Sequence, residues 1–340
     1  MRTRTARFEI LCRGKNVSAA LAPYLESATW EDNAQSSQAD SIELRLEDRD
    51  GLFRGSWKLN KGDKLEATLI VENWQREGDN TRLRCGTFEV DELEYEYGEG
   101  GDKLSLKGIS SMVSSSLRRE KKTKAWEATT LSRVLSEIAG AQGFNHRFGG
   151  NDVSLARLDQ REESDAALLT RLAKSHGKAF KVYSGQLVMM DEKTQDAKPA
   201  AGTISRTGGE LKRLRLRDSL ADIYSACTVT YHDAAANVTR EYTYTPPDAP
   251  ESGQTLKISD RVESLAAAEA RAKTELRRKN KLETSGDIET MGNPRFIGGS
   301  VCGLSGFGWL DGKYFIEQSR HTVDDSGYST ALSVRRTMDW

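Results

Sequence analysis

Alternating polar and apolar positions dominate the first 110 residues. Segments 8–12, 41–46 and 65–71 alternate or carry β-branched runs, a pattern typical of half-buried strands. The clearest strand covers residues 86–97, and the glycines that follow turn the chain back into residues 103–108. These features predict antiparallel strands, the last two of them joined as a hairpin.

The apolar period becomes helical after Ser111. A helix is predicted over residues 131–139 with Thr130 as its cap, and a second over 165–176 with Ser164 as its cap. After these helices, residues 179–183 and 186–190 are predicted to form a hairpin that turns at Ser184 and Gly185. A polar stretch at 191–199 closes the segment. Residues 111–199 are therefore predicted to form a small α+β insert.

The last third returns to strand patterns. Strands are predicted at 210–217 and 224–231, followed by a helix over 265–281 whose alanine stripe suits close packing on a sheet. The glycine-rich segment 298–308 is interpreted as turns. A final hairpin pairs 313–318 with 330–335 and turns at 324–327.

Length and charge limit the functional classes. The chain has 340 residues, more than one hydrophobic core usually organises. Fifty basic and fifty-one acidic residues give a net charge of −1. The overall charge of the chain therefore does not favour binding to nucleic acid or to an anionic membrane. Apolar runs of signal-peptide or membrane-span length do not occur in the sequence. We expect synthesis in the cytoplasm and no membrane binding by this chain.

Metal, cofactor and catalytic signals are weak throughout. The four cysteines, Cys12, Cys85, Cys227 and Cys302, are widely spaced and are interpreted as small buried side chains. The four histidines, His146, His176, His232 and His321, lack metal-binding spacing. No cofactor or metal is therefore predicted, and the glycines of 298–308 do not spell a phosphate loop.

Two acidic pairs form the basis of an alternative function. Asp91 with Glu92, or Glu162 with Glu163, would supply the two carboxylates of a glycoside hydrolase. Neither pair requires a catalytic role. Asp91 and Glu92 lie in a strand that is rich in acidic residues, and Glu162 and Glu163 come just before a helix, where acidic residues favour the helix dipole. We predict that the chain is not an enzyme, with a cell-wall hydrolase or carbohydrate-binding component as the alternative.

Charged patterns mark three candidate interface segments. The basic run at 118–124 contains Arg118, Arg119, Lys121 and Lys122, and is either a solvated connector or a docking patch for an acidic partner. Arg213, Arg215 and Arg217 alternate with leucines, so in a strand they share one face. The third segment is the acidic strand that contains Glu89, Glu92, Glu94 and Glu96.

A series of short motifs resembles a known family. In chain order they are Gly86-x-Phe88-x-Val90-Asp91, Trp126 before Thr130-Leu131, Ser164-Asp165 before Leu169 and Arg171-Leu172-Ala173, Asp222-x-Tyr224-Ser225, the alanine-rich helix, Gly292-x-Pro294, Gly312-x-Tyr314-x-Ile316, and His321 before Gly327-Tyr328. The series looks like the late control protein D family of contractile phage tails. That family is similar in turn to the hub half of type VI secretion spike proteins.

The resemblance implies a fold and an assembly. The fold is mainly β with an α+β insert, and consists of two tube-like antiparallel β-barrel domains, 1–110 and 200–340, around the helix-containing domain 111–199. The second barrel carries the long helix at its side. Hubs of this family form homotrimers, whose repeated barrels adapt a six-fold tail tube to a three-fold spike.

Partners and location follow from the same resemblance. The implied partners are the tail tube protein, a spike protein, and other baseplate proteins such as the tape measure protein. Because the sequence continues into no needle-like domain, the spike is expected to be a separate polypeptide. The implied location is the tail tip of a virion or a related injection machine, with synthesis in the host bacterial cytoplasm. His321 is expected to be a structural hydrogen-bonding residue.

The resemblance also implies two candidate roles for the arginine face. It could line the lumen through which DNA passes transiently, or pair with the acidic strand of a neighbouring subunit. The second role is favoured, because a lumen that gripped phosphates would slow the passage of DNA, whereas charged strands orient partners.

Overall fold

A computed structural model of the chain describes residues 3–35, 39–110, 116–183, 185–233, 238–249, 253–262 and 264–340. Two earlier predictions touch positions outside these ranges, namely Ser184 in the predicted turn and the start of the insert at residues 111–115. Strands predominate in the described part, so the predicted mainly β fold is confirmed.

The described residues of the N-terminal part form seven strands and one short helix. They are β1 (Thr5–Cys12), β2 (Lys15–Asn16), α1 (Ser18–Leu21), β3 (Leu25–Asn33), β4 (Ser41–Glu47), β5 (Lys64–Glu72), β6 (Thr81–Glu96) and β7 (Lys103–Ser110). Strand β3 was not predicted. Its inward positions include the small Ala28 and the polar Asp32, which weaken the apolar alternation that identifies a strand.

The middle part alternates strands with helices, as the predicted α+β insert requires. Its elements are α2 (Ser116–Arg119), β8 (Lys121–Thr130), α3 (Leu131–Ala141), β9 (Asn145–Phe148), β10 (Ser154–Ser164), α4 (Asp165–Ser175), β11 (Lys178–Tyr183), β12 (Gln186–Asp191) and α5 (Glu192–Asp196). The predicted caps are present, since the Thr130 hydroxyl accepts from Arg133 N and the Ser164 hydroxyl accepts from Ala167 N. Each cap satisfies a backbone donor that the first helical turn leaves free.

The described residues of the C-terminal part form nine strands and the longest helix among the described elements. Its elements are β13 (Thr203–Ser205), β14 (Leu211–Asp218), β15 (Ala226–Asp233), β16 (Val238–Tyr244), β17 (Thr255–Val262), α6 (Leu265–Asn280), β18 (Thr284–Met291), β19 (Val301–Ser305), the 3₁₀ turn Gly308–Leu310, β20 (Gly312–Asp324) and β21 (Gly327–Arg336). The segment 298–308 was interpreted as turns between strands, but residues 301–305 within it form β19. Four of its five residues, Val301 to Leu304, pair with β20, and Cys302 is buried.

One 13-stranded sheet connects the N-terminal and C-terminal parts. Its main path runs β14-β18-β21-β20-β3-β4-β7-β6-β5-β1-β2, with β19 attached to β20 and β13 attached to β19. The junction is the antiparallel pairing of β20 with β3, from Gln318 opposite Asn33 to Asp324 opposite Ser27. Two hydrophobic cores lie along this sheet, one lined mainly by β1 and β3–β7 and the other by β13, β14 and β18–β21. The two parts thus have separate cores within a shared sheet.

Helix α6 packs on a separate small sheet. Strands β16, β15 and β17 form this sheet in that order. Ala268, Ala272 and Leu276 are fully buried against Cys227 and Val229 of β15. The predicted alanine stripe therefore faces a sheet, but it is a three-stranded sheet beside the large one.

Candidate assembly surfaces

The arginine face lies on an edge strand. Strand β14 is the first strand of the large sheet, and Arg213, Arg215 and Arg217 are all exposed on it. The intervening Leu214 and Leu216 turn toward the second core. The predicted alternation is therefore observed, and the three guanidinium groups share one face.

Acidic residues of the same chain lie beside this face. In the register of β14 with β18, Arg213 is opposite Glu289 and Arg215 is opposite Asp287. Opposite charges in directly facing positions stabilise a strand pair weakly. The arginine face is thus partly balanced by β18, although its side chains remain open to solvent.

The acidic face on β6 depends on a β-bulge. Val90 pairs with Gly108, and Glu92 pairs with Lys107, so Asp91 is the extra residue. In a regular strand Glu89 and Glu92 would point to opposite faces. The bulge brings both to the outer face, together with Glu94 and Glu96, while Leu93 and Tyr95 turn toward the first core.

The basic run at 118–124 lies at the junction of α2 and β8. Arg118 and Arg119 end α2, and Lys121 and Lys122 begin β8. Lys122 Nζ lies 2.7 Å from Asp165 Oδ2, and burial lowers the pKa of Arg118. The run is therefore part of two regular elements, and five of its seven residues, among them Arg119 and Lys121, are exposed to solvent.

A buried ionic cluster joins the middle part of the chain to the C-terminal part, and it was not predicted from the sequence. Asp196 at the end of α5 accepts two hydrogen bonds from Arg335 of β21, at 2.9 and 2.8 Å, and another from Arg277 of α6. It also accepts from Met338 N at 3.2 Å. Asp196 and Arg335 are each only 1% exposed. Residues 191–199 were predicted as a polar closing stretch, but α5 and this carboxylate make the segment a packed junction.

A second ionic contact joins the insert to the N-terminal part. Lys181 of β11 forms an ion pair with Asp32 and lies 3.8 Å from Asp40. Burial raises the pKa of Asp40 to about 6, and the neighbouring Lys181 opposes that rise. The backbone amides of Gly298 and Asn33 donate to the same two carboxylates, at 2.9 and 2.8 Å.

His321 occupies the structural position that the sequence predicted. Its Nδ1 lies 2.8 Å from the Tyr328 hydroxyl, and its Nε2 lies 3.1 Å from the Phe296 carbonyl. Burial lowers the pKa of His321 to about 4, so the ring is neutral at pH 7.

Gly292 lies against the ring of Tyr328. A Cβ at this position would lie 2.1 Å from that ring, which explains why the residue is a glycine. Trp74 of the N-terminal part donates its indole N–H to the Gly292 carbonyl.

The candidate catalytic pairs have structural partners or lie exposed. Glu163 forms an ion pair with Arg171, and Glu162 Oε1 accepts from the Thr123 hydroxyl at 3.1 Å. Asp91 and Glu92 lie at the exposed bulge of β6. Among the described residues, no group of three or more His, Cys, Asp or Glu side chains could hold a metal ion.

Cysteines and helices add two further observations. Cys85, Cys227 and Cys302 are buried as predicted, while Cys12 is only half-buried, and all four are free thiols. In the part of the chain that the structure describes, no helix is long and apolar enough to cross a membrane.

Comparisons with known proteins support the resemblance found in the motifs. No family model matches the chain. The probable baseplate hub protein of Escherichia phage 186 is 24% identical over 274 residues, covering 77% of this chain and 62% of that protein. The probable baseplate hub protein of Escherichia phage P2 is 24% identical over 225 residues, covering 64% of this chain and 54% of that protein. The chain thus spans less than two thirds of the length of these relatives.

Solved structures share the fold over nearly the whole chain. The 43 kDa tail protein of prophage MuSo2 from Shewanella oneidensis matches with a TM-score of 0.73 at 16% identity, covering 98% of this chain and 99% of that one. A tail protein of Neisseria meningitidis MC58 matches with a TM-score of 0.71 at 16% identity and the same coverage. A type VI secretion system component of E. coli matches with a TM-score of 0.57 at 9% identity, covering 97% and 77%. The predicted resemblance to phage hub and type VI secretion proteins is confirmed.

Proposed function

We propose that this chain is the structural central hub of a contractile tail baseplate, located at the tail tip of a virion. The observation that carries the proposal is its similarity to two phage proteins named as probable baseplate hub proteins. The shared fold of tail proteins over 98% of the chain supports the same assignment. A hub acts through the surfaces that it offers to neighbouring subunits.

The proposed domains are 1–110, 111–199 and 200–340. Their support is that each range supplies most of a hydrophobic core, including a core formed by α3, α4 and the strands around them, while Tyr328 of the third range packs into the core of the first. The ionic clusters at Asp196 and Lys181 then act as the junctions by which the insert is held to its two neighbours.

Three copies of the chain are proposed to form a ring. With two barrel-like parts in each copy, three copies offer six similar positions to a six-fold tube and keep three-fold symmetry for a spike. The proposed partners are therefore the tail tube protein, a spike protein and other baseplate proteins, with DNA passing transiently through the lumen. The exposed arginine face of β14 and the acidic face of β6 are the proposed contact surfaces between copies.

Absence of catalysis is part of the proposal. Glu163 is held by Arg171 and Glu162 by Thr123, as expected for residues that fix the start of α4. Alanine at Glu162 or at Glu163 should therefore leave the wall-degrading activity of assembled particles unchanged, measured by zymography on peptidoglycan. Loss of that activity in correctly assembled particles would restore the hydrolase alternative.

The copy number and position of the chain test the hub assignment directly. Cryo-electron microscopy of intact tails should show three copies in a closed ring between the tube and the spike, and mass photometry of the purified chain should detect the same trimer. One copy per tail, or a ring of six, would contradict the proposed adaptor.

A further inference from the structure

A cleft of about 340 Å³ lies where the three parts of the chain meet. Asp32 and Ala34 line it from the N-terminal part, and Ile297 and Phe315 line it from the C-terminal part. The insert supplies much of the remaining wall through β9, β11, β12, α5 and the segment that follows α5. Small ligands often bind in pockets between the parts of a protein.

The cleft faces the outer side of the three-stranded sheet of the insert. Leu187 and Met189 of β12 point into the core of the insert. Because side chains alternate along a strand, Val188 and Met190 point to the other side, where they line the cleft. In the parallel register of β12 with β9, Val188 lies opposite Arg147. An apolar wall and a cation therefore lie side by side in the cleft.

Two cations of the cleft have no carboxylate partner within the described residues. Arg147 is exposed and forms no salt bridge there, and Lys198 Nζ donates only to the Gly299 carbonyl, at 3.1 Å. Partial burial lowers the pKa of Lys198, and the like charge of Arg147 lowers it further. The two cations are therefore close enough to repel each other, and an anion bound between them would relieve that repulsion.

The other charges around the cleft balance one another. Lys181 faces Asp32 and Asp40, and the charge of Arg118 also acts on Asp40. The carboxylates of segment 191–196 have cations of their own, in the pairs Asp191–Lys178, Glu192–Lys281 and Asp196–Arg335. Arg147 and Lys198 therefore give the cleft an excess of positive charge, which favours an anionic ligand.

Gln195 of α5 adds a polar group without a partner. Its side chain lines the cleft, and the residue is 8% exposed. Within the described residues, its Nε2 has no hydrogen-bond acceptor. Buried amide donors are normally paired, so a ligand oxygen that reaches this wall would supply the missing acceptor.

We infer that this cleft binds a small organic acid, whose carboxylate contacts Arg147 and Lys198 and whose apolar body lies against Ile297 and Phe315. A guanidinium offers the paired donors that a carboxylate accepts. The apolar wall favours an acid with a hydrocarbon group over inorganic phosphate or acetate. This site goes beyond the proposed hub function and does not depend on it.

The size of the cleft favours a small molecule over a polypeptide segment. Its volume of about 340 Å³ is near the lower end of the range for small-ligand pockets. One turn of an α-helix, about 10 Å across and 5.4 Å long, fills roughly 400 Å³. A partner protein therefore has room for only one or two side chains there. Because three parts of one chain form its walls, the cleft is complete without a partner.

Binding of defined acids to the purified chain tests the ligand class. Phenylacetate and hexanoate are the probes, phenylacetamide lacks the charge, acetate lacks the apolar body, and inorganic phosphate is a different anion. At least one probe should bind saturably, with a dissociation constant about tenfold or more below those of the three controls. Ligand-observed nuclear magnetic resonance and isothermal titration calorimetry measure the constants. No saturable binding of either probe, or equally tight binding of phosphate, would overturn the inference.

Variants of the lining locate the bound acid. Arg147→Gln and Lys198→Gln should each weaken binding of the probe about tenfold, since each removes a charged donor. The matched control is Lys193→Gln, which removes an exposed cation of α5 outside the cleft and should leave binding unchanged. Ala179→Phe places a ring in the cleft and should abolish binding. Circular dichroism verifies the folding of each variant, and the two exposed cations serve as the test if Ala179→Phe does not fold.

Three outcomes of these experiments would contradict the site. Unchanged binding in Arg147→Gln and Lys198→Gln places the acid elsewhere, and an equal loss in Lys193→Gln reveals a nonspecific effect of charge. If Lys198→Gln binds the acid normally but no longer enters tails, the cleft receives a side chain of a partner instead. A trimer that forms normally while no acid binds overturns this site alone, so the proposed function is tested separately.

Discussion

Arg335 and Arg215 lie on strands of the same large sheet, yet their surroundings differ. Arg335 is 1% exposed and donates two hydrogen bonds to Asp196. Arg215 is exposed on the edge strand and lies opposite Asp287, with no salt bridge within the described residues. A buried guanidinium depends on its partner, because water cannot replace it. An exposed guanidinium remains hydrated and available to another subunit.

The largest expected effect comes from removing the buried partner. Asp196→Ala leaves Arg335 and Arg277 without their shared carboxylate, and should lower the free energy of unfolding by about 3–5 kcal/mol. Asp287→Ala beside Arg215 is the control and should cost less than about 1 kcal/mol. Urea unfolding followed by circular dichroism measures both. Equal losses in the two variants would remove the distinction between the buried and exposed arginines.

Placing a new charge where no partner exists extends the comparison to α6. Ala272 is fully buried against β15, so Ala272→Glu both overpacks the contact and buries a carboxylate. The expected loss of stability is roughly 2–4 kcal/mol. Ala270 lies on the exposed side of the same helix, and Ala270→Glu should change stability by less than about 0.5 kcal/mol. Unchanged melting of the Ala272 variant would contradict the packing of this helix.

Elements with local signals were predicted well from the sequence. The caps Thr130 and Ser164 and the regular apolar spacing after them place α3 and α4 to within a residue or two. The alternation of arginine with leucine predicted the exposed face of β14. In each case the decisive residues lie within a few positions of one another, so the pattern can be read without the fold.

Features that depend on distant partners were missed. Asp196 lies 139 residues from Arg335, and its own surroundings in the sequence are those of a surface segment. The shared outer face of Glu89 and Glu92 requires the bulge at Asp91, for which the sequence offers no specific local signal. An open cavity between α4 and α6 also brings together residues from 118 to 278. Candidate interface residues could thus be named from the sequence, but their grouping could not.

Asp40 is intermediate between the buried and the exposed charges, because it is buried but the charge of Lys181 only partly compensates its own. Its pKa of about 6 is above the ordinary 3.8 because of burial. The folded protein therefore binds an extra proton here between about pH 4 and 6, and this group adds stability as the pH falls through that range. At pH 7 the buried carboxylate is ionised and lowers the stability of the fold. Asp40→Asn removes this charge, so it should abolish the pH dependence and raise the free energy of unfolding at pH 7 by on the order of 1 kcal/mol. Unfolding of both proteins at several pH values measures the difference, and an identical pH dependence would contradict it.

The smallest effect on stability is expected at the arginine face. Arg213, Arg215 and Arg217 are exposed, so replacing all three with glutamine removes charge without burying an unpaired group. The free energy of unfolding should change by less than about 1 kcal/mol. Glutamine is preferred to glutamate, because new carboxylates beside Glu289 and Asp287 would add repulsion within one chain. If these arginines contact another copy, the variant should still weaken the trimer at low salt, and added salt should reduce the difference from the wild type. A loss of stability as large as that of Asp196→Ala would mean that the exposed face holds the fold together, and that burial does not separate the two kinds of arginine.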